Sequence, residues 1–555
     1  MLRFLPGLAS LTAYRREWLR GDLLAGLTVA AYLVPQVMAY ATVAGLPPVA
    51  GLWAILAPLA LYALLGSSRQ LSVGPESTTA LMTATAIGPL AAGNSAGYAA
   101  LAATLAVTVG LLCVGCRLLR LGFVSDLLSR PILVGYLAGV AVIMIVGQLG
   151  KLTGVPVSGE SLIEQVSSFA RQTPHAHLGT VLMAAAVLAF LFLLQWRLPA
   201  VPAPLLAVLL ATLSVTVFHL EARGIKVVGE IPAGLPSPAL PPLENLLLPA
   251  VGVFLVGYSD NMLTARSFAA RHHQDIDANQ ELLALGVANL GAGVLHGFPV
   301  SSSGSRTALA DAAGARTQLY SLTCLVAVAA VLMFAGPLLA DFPTAALGAI
   351  VVYAATRLVS LPDFVRLARF RRTELLLALG AFAGVLIFDI LYGILLAVAL
   401  SVAEMLSRVA RPHDAVQGLV PGLAGMHDVD DYPAARTIPG LVIYRYDSPL
   451  FFANAQDFHR RALAAVDQQA DPVHWFVLNT EANVEVDITA LDAVDSLRQE
   501  LDRRGIVFAM ARVKQDLRTY LDAYGLTAAV GEDRIFPTLP TAVAAYREWQ
   551  AETTP

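Results

Sequence analysis

The chain has 555 residues, of which 57% are hydrophobic and only 14% charged, with a mean hydropathy of +0.66 and a formal net charge of −4. Soluble domains carry about a quarter charged residues, so most of this chain belongs in lipid, and the near-neutral balance gives no footing for nucleic acid. Cys113, Cys116 and Cys324 all fall in apolar segments; the first two, though spaced as CxxC, read as helix packing residues, and no disulfide framework is implied.

The N-terminus reads Arg15-Arg16-Glu17-Trp18-Leu19-Arg20 and runs into a full-length apolar span, without the short apolar core and cleavage site of a removable signal peptide. Apolar segments follow at about 22–44, 49–65, 76–91, 98–119, 130–150, 178–195, 203–219, 246–267, 281–296, 304–314, 317–339, 345–357, 374–391 and 393–409. The third and tenth are too short for the roughly 20 residues a spanning helix needs. Each follows a stretch that breaks a helix: Leu71-Ser72-Val73-Gly74-Pro75-Glu76-Ser77-Thr78 in one case, Gly297-Phe298-Pro299-Val300 and a serine run in the other. Broken segments third of seven and tenth of fourteen indicate two repeats. Seven is odd, so the second repeat enters from the opposite side, and the half-helices meet near the midplane. Arg117, Arg120, Arg130, Arg197, Arg266, Arg271, Arg366, Arg369, Arg371 and Arg372 then fall on one side, while the opposite loop at 92–97 is uncharged. The positive-inside rule puts both termini in the cytoplasm.

Beyond about residue 412 charge returns. Leu441–Tyr446, Trp475–Leu478 and Ile506–Met510 read as strands; 454–467, 489–503 and 515–523 read as helices. That alternation predicts a soluble α/β domain over 437–555, after a transmembrane domain over 1–411 and a segment at 412–436 that is either a linker or the tail's first strand.

Ser301-Ser302-Ser303-Gly304-Ser305-Arg306-Thr307 carries the chemistry. An arginine at membrane depth costs about 3 kcal/mol even on lenient insertion scales. Broken backbone at that depth must be buried in protein or line a wet cavity. A helix start, hydroxyls and a guanidinium together attract an anion. Ser305 and Arg306 are therefore candidate anion ligands, with Ser77 and Thr78 opening the opposing half-helix. Glu76 suits the N-terminus of that helix as a cap, or it repels an anion or neutralises Arg306. Gln36 and Tyr40, four apart, share one helical face, either toward the pore or in a helix–helix hydrogen bond. Asp260 interrupts an apolar span, and Thr264 lies one turn later; the pair can carry a proton or ligate a sodium ion, or Asp260 can hold Arg306 in a static ion pair. Asp311 is expected to pack within the bundle, Asp389 to lie at the outer interface, and His272 and His273 to be surface residues rather than metal ligands. Thr489 in Asp487-Ile488-Thr489 is expected to cap a helix. Nothing resembles a nucleophile–base pair, a metal cluster or a nucleotide motif, which argues against an enzyme.

These features resemble the sulfate permease family of anion transporters over nearly the whole chain. The family's long motif is similar to Gly45-Leu46-Pro47-Pro48 through Gly51-Leu52-Trp53 to Leu65-Gly66-Ser67-Ser68-Arg69-Gln70-Leu71-Ser72-Val73-Gly74-Pro75. Pro35-Gln36-Val37-Met38-Ala39-Tyr40-Ala41 resembles its first span, and Gly229-Glu230-Ile231-Pro232-Ala233-Gly234-Leu235-Pro236 its loop before span eight. The tail resembles a STAS domain, and Asp487-Ile488-Thr489 falls where related domains carry a phosphorylated Ser or Thr. The resemblance implies fourteen membrane segments in a 7+7 inverted repeat, divided into core (spans 1–4 and 8–11) and gate (5–7 and 12–14), and a homodimer. It implies that Gln36 faces the substrate, that Ser305 and Arg306 bind it, and that the acidic position near Asp260 serves cation coupling. The expected function is secondary active uptake of an inorganic anion, sulfate first, coupled to protons or sodium across the plasma membrane. Bicarbonate or dicarboxylate transport, or a membrane-anchored anion sensor signalling through the tail, are the alternatives.

Overall fold

The structure is a computed structural model. It describes residues 5–7, 14–91, 95–127, 129–157, 159, 161–198, 202–232, 234–242 and 244–553, leaving aside the side chains of 95, 96, 126, 127, 389, 391 and 394. The chain forms two compact units, Met1–Ser401 and Val402–Pro555.

The first unit is helical: α1 (Leu19–Val43), α2 (Pro48–Leu65), α3 (Ser77–Ile87), α4 (Ser95–Leu118), α5 (Arg130–Thr153), α6 (Leu162–Gln172), α7 (Leu178–Arg197) and α8 (Ala203–Phe218), then α9 (Leu247–His272), α10 (Ala278–Val294), α11 (Gly304–Ala312), α12 (Leu319–Phe334), α13 (Gly336–Ala340), α14 (Thr344–Thr356), α15 (Leu361–Phe370) and α16 (Arg372–Ala410). Among the described residues, seven helical stretches are long and apolar enough to cross a membrane by length and composition. The others are short or broken. In α16 the helical backbone doubles back: a β-carbon on Gly384 would lie 2.9 Å from Leu396 Cδ2, and one on Gly393 2.7 Å from Val385 Cα. A straight helix would hold residues 384 and 396 about 18 Å apart, so α16 is a tight hairpin of two limbs. The side chain of Asp389, expected at the outer interface, lies outside the described residues.

Packing divides these helices into two sets. In one, α4 and α2 flank α10, α1 packs on α2, α11 and α12, and α9 lies on α4. In the other, α14 packs on α5 and α7, and α8 on α7. The first limb of α16 lies against α5, where Gly135 and Gly139 face Ala378 and Val385. Helix α1 also touches α14 and α8, so the seam between the sets runs along it. The two halves of the chain contribute to both sets, as inverted repeats require.

The second unit has one six-stranded sheet of β3 (Asp414–Leu419), β4 (Met426–Asp428), β5 (Leu441–Tyr446), β6 (Trp475–Asn479), β7 (Val507–Ala511) and β8 (Ile535–Phe536), in the order β4-β3-β5-β6-β7-β8. Strand β3 runs antiparallel to both neighbours; β5 to β8 are parallel. Side chains alternate along each strand. Val442, Tyr444 and Tyr446 pack with α17 (Ala455–Asp467), α18 (Ile488–Arg503) and α19 (Gln515–Tyr524), while Leu441 and Ile443 pack with α21 (Leu539–Thr553); α20 (Leu526–Val530) belongs to the first layer. The segment 412–436 thus contains two strands of the sheet. The cap of α18 is Asp487, not Thr489: its carboxylate accepts from Ala490 N at 2.8 Å and from Phe452 N at 2.8 Å. Asp already satisfies the open end, so Thr489 lies within the first turn without that task.

Candidate functional site

Two extended segments cross inside the first unit, each leading into a half-helix. Val73–Gly74 (β1) pairs antiparallel with Ser301–Ser302 (β2), Val73 opposite Ser302 and Gly74 opposite Ser301. So short a ladder leaves many backbone groups to be satisfied elsewhere, and at this depth no bulk water does it. Side chains do it instead. Asn289 accepts from Val300 N at 2.9 Å and donates to Val300 O at 3.0 Å. Gln318 donates to Ser68 O and Leu71 O, and Tyr320 OH to Gln70 O. Thr307 Oγ1 accepts from Ser72 N at 3.0 Å. Gly74 packs closely: a β-carbon there would lie 1.9 Å from Ile55 Cδ1, so a larger residue would have to push that side chain aside.

Arg306 locks this crossing. It is fully buried, with 0% exposure. Its Nε donates to Ser72 Oγ at 3.2 Å, and Nη1 donates to Pro75 O at 2.8 Å and to Gln36 Oε1 at 3.2 Å. Its Nη2 has no partner among the described residues. The sequence pattern predicts a guanidinium facing the anion; the structure instead places it behind the wall. A guanidinium only donates, so Gln36 must turn its oxygen to Arg306. Its amide nitrogen then points to Tyr40 OH at 3.0 Å and lies 3.5 Å from Tyr32 OH. Nor is there a static Asp260–Arg306 pair: Asp260 accepts from Ser302 Oγ at 3.1 Å, and Arg306 is taken up by Ser72, Gln36 and Pro75.

In front of this wall is a cavity of about 280 Å³. Of the expected residues, Gln36, Tyr40, Ser77, Thr78, Asp260, Thr264 and Ser305 all line it; Arg306 does not. The two half-helix starts differ. Glu76 caps α3, accepting from Thr78 N at 2.8 Å and Ser77 Oγ at 2.7 Å. The start of α11 has no side-chain cap, and Ser303, Gly304 and Ser305 lie on the cavity wall. The positive end of α11 is therefore the one left open to an anion.

Sequence reasoning missed Tyr32 and Arg357, which also line the cavity. Arg357 follows α14 in the other helix set; its Nη1 donates to Tyr353 OH at 3.1 Å. Its only sequence signal is a cation at the end of an apolar span, which is ordinary at a membrane boundary. Two buried carboxylates outside the cavity also escaped notice. Asp22 accepts from Arg316 N, Thr317 N, Thr317 Oγ1 and Tyr14 OH. Glu281 accepts from Tyr62 OH, Ser67 N and Oγ, and Asn261 Nδ2. Each ties a loop to helices that carry the crossing. His272, expected at the surface, is half-buried with Nε2 2.7 Å from Asp311 Oδ1, which joins the ends of α9 and α11. His273 ends α9 in the left-handed region.

The model of the sulfate permease family matches residues 19–381, and that of the STAS domain residues 432–542. The chain belongs to the sulfate permease family. A Mycobacterium tuberculosis (strain CDC 1551 / Oshkosh) protein named "Probable sulfate transporter" is 61% identical over 98% of this chain and 98% of its own length. "Sulfate transporter 4.1, chloroplastic" of Arabidopsis thaliana is 31% identical over 95% and 80%. Among solved structures, SLC26A9 superposes with a TM-score of 0.91 at 23% identity, covering 100% of this chain and 94% of that one. The transmembrane domain of "a cyanobacterium bicarbonate transporter BicA" gives 0.60 at 24% identity, over 70% and 98%. The permease is thus a multi-pass membrane protein of this transporter fold: fourteen segments in a 7+7 inverted repeat of core and gate, then a STAS domain. The crossing and its cavity wall belong mainly to the core, and Arg357 belongs to the gate.

Proposed function

We propose that this permease carries sulfate across the plasma membrane together with a proton, with both termini in the cytoplasm. The named sulfate transporters among its relatives support the substrate. The cavity supports a small anion: about 280 Å³ is below the ~300–1,000 Å³ of sites for drug-sized ligands. The anion's partners are the open start of α11, Ser305, Thr78 and the Tyr32 and Tyr40 hydroxyls, which accept from the Gln36 amide and keep their own protons to donate, with Arg357 across the core–gate seam. Arg306 contributes its charge through the wall and fixes the Gln36 amide. The observation that carries the coupling is that Glu76 and Asp260 face the same cavity as the substrate. A dianion beside two carboxylates is repelled unless a cation is taken up with it. A proton on Asp260 removes one negative charge and leaves a hydroxyl able to donate to the anion. The core then moves past the gate as a body, and Arg357 meets the loaded site on one face of that movement. In this reading the protein acts as a transporter, not an enzyme, and works as the homodimer its family resemblance implies.

Uptake of labelled sulfate into proteoliposomes tests this. A proton gradient should drive accumulation and a sodium gradient should not. Asp260→Asn should abolish accumulation yet keep sulfate counterflow. Accumulation driven by sodium alone would make the coupling ion sodium, held at Asp260 and Thr264. Normal accumulation in the asparagine variant would remove Asp260 from coupling. Bicarbonate and fumarate in place of sulfate test the substrate.

A further inference from the structure

A second cavity, of about 880 Å³, lies well away from the crossing, between the start of α5 and the short helix α15. Its floor is carbon: Pro131, Val134, Leu361, Pro362, Val365 and Phe370. Its rim is basic, with Arg130, Arg366 and Arg369 against Asp363 and Glu374. Arg130 is engaged, its Nη2 3.0 Å from Asp363 Oδ1. Arg366 and Arg369 make no hydrogen bond, ion pair or ring contact among the described residues. Two more arginines, Arg371 and Arg372, follow at once and are exposed. Leu361 is 70% exposed and Phe370 67%.

Each half of this arrangement is costly in water. An apolar hollow of that size exposes the same side chains that a bilayer would cover. Unpaired guanidiniums beside it call for an anion that brings its own hydrocarbon. Arginine rather than lysine suits a phosphate, which it meets with two parallel N–H donors. A short helix with apolar and basic faces belongs at the headgroup boundary, and basic pockets between membrane helices are where acidic headgroups bind.

We propose that the groove between α5 and α15 is a binding site for an anionic phospholipid, with the headgroup phosphate on Arg366 and Arg369 and an acyl chain against Pro131, Val134, Leu361 and Val365. Its place ties lipid to transport. Helix α5 packs on α14, which leads into Arg357 at the substrate cavity. A lipid bound here clamps the gate and leaves the core free to move.

Native mass spectrometry of the full-length protein, titrated with phosphatidylglycerol or phosphatidylcholine, tests the site. The expected result is one saturable phosphatidylglycerol per chain, bound roughly tenfold tighter than phosphatidylcholine. Arg366→Gln with Arg369→Gln should reduce phosphatidylglycerol to the level of phosphatidylcholine. Val365→Asp should also weaken it by placing a charge on the floor. Equal binding of the two lipids, unchanged binding in the double variant, or full competition by glycerophosphoglycerol, which lacks acyl chains, would each overturn the proposal. Sulfate-induced thermal stabilisation of the same double variant should persist, so failure here is distinct from failure of the transport reading.

Discussion

At the scale of single residues, the site works through orientation as much as charge. Gln36 donates to the Tyr40 and Tyr32 hydroxyls of the cavity wall, leaving their protons free for the anion, only because Arg306 holds its oxygen. Gln36→Glu should form a buried ion pair with Arg306 and draw those hydroxyl protons to its carboxylate. A hydrogen bond to a charged group contributes about 1.5–3 kcal/mol, so sulfate affinity measured by calorimetry should fall at least about tenfold while the melting temperature holds. The two arginines should separate in the same assay. Arg306→Ala leaves Ser72, Pro75 and Gln36 without their donor, and each buried acceptor so stranded costs about 1–3 kcal/mol. Its melting temperature should therefore drop along with binding. Arg357→Gln removes a cation from the cavity rim, while its amide can still donate to the Tyr353 hydroxyl, the partner of Arg357 Nη1. It should weaken sulfate binding with the melting temperature unchanged. Equal destabilisation by both variants would mean that Arg357 is scaffold as well.

At the scale of elements, the sequence showed where helices break but not what the broken pieces do. Gly74 and the serine run announce two interruptions because glycine, proline and serine punctuate locally. The pairing of Val73 with Ser302 joins residues far apart by two-residue strands, too short for any alternation to show. Arg306 looked like the anion's ligand because the cost of a buried cation can be read from sequence, while its acceptors cannot: Ser72 Oγ, Gln36 Oε1 and a proline carbonyl come together only in the fold. Helix α15 escaped because ten residues between two apolar spans read as a basic loop. The tail was clearer, since its strands and helices alternate in short patterned runs. Its edge, however, is held by a contact no pattern reveals. His413 Nε2 lies 2.7 Å from Asp428 Oδ2, joining the start of β3 to β4. The hydrogen bond to Asp428 raises His413 above its ordinary value. Burial opposes ionisation of Asp428, but the His413 bond, Asp430 N–H and nearby cations outweigh it and hold the carboxyl low. The His413 contribution is complete below about pH 6.5 and lost as pH rises through its folded value; that of Asp428 is present above about pH 3.9 and lost on acidification below it. The contact is thus strongest between those limits. Hydrogen exchange of the β3–β4 amides, corrected for intrinsic rate, should quicken between pH 6 and pH 9. His413→Ala should remove that dependence.

At the scale of the whole molecule, transport and tail are separable chemistries on one chain. Every residue lining the substrate cavity lies between Tyr32 and Leu358. The tail closes its own core on both faces of its sheet, with Tyr444, Phe476 and Phe508 on one side and Trp475 and Tyr546 on the other. A cut should respect that core. Ending the membrane part near residue 436 would carry β3 and β4 along without β5, the strand that β3 pairs with through Asp414–Tyr446 and Val416–Tyr444. Unpaired strands of that kind template aggregation. Ending it at Arg411 leaves α16 complete and the sheet intact on the other fragment. The chain 1–411 should therefore purify as a monodisperse particle and bind sulfate within about threefold of the full protein, a difference under 1 kcal/mol. The piece 412–553 should melt cooperatively on its own, as a domain with a closed core does. Calorimetry on the first and circular dichroism on the second decide the matter. Loss of sulfate binding in folded 1–411 would mean that the tail holds the gate where Arg357 can reach the anion.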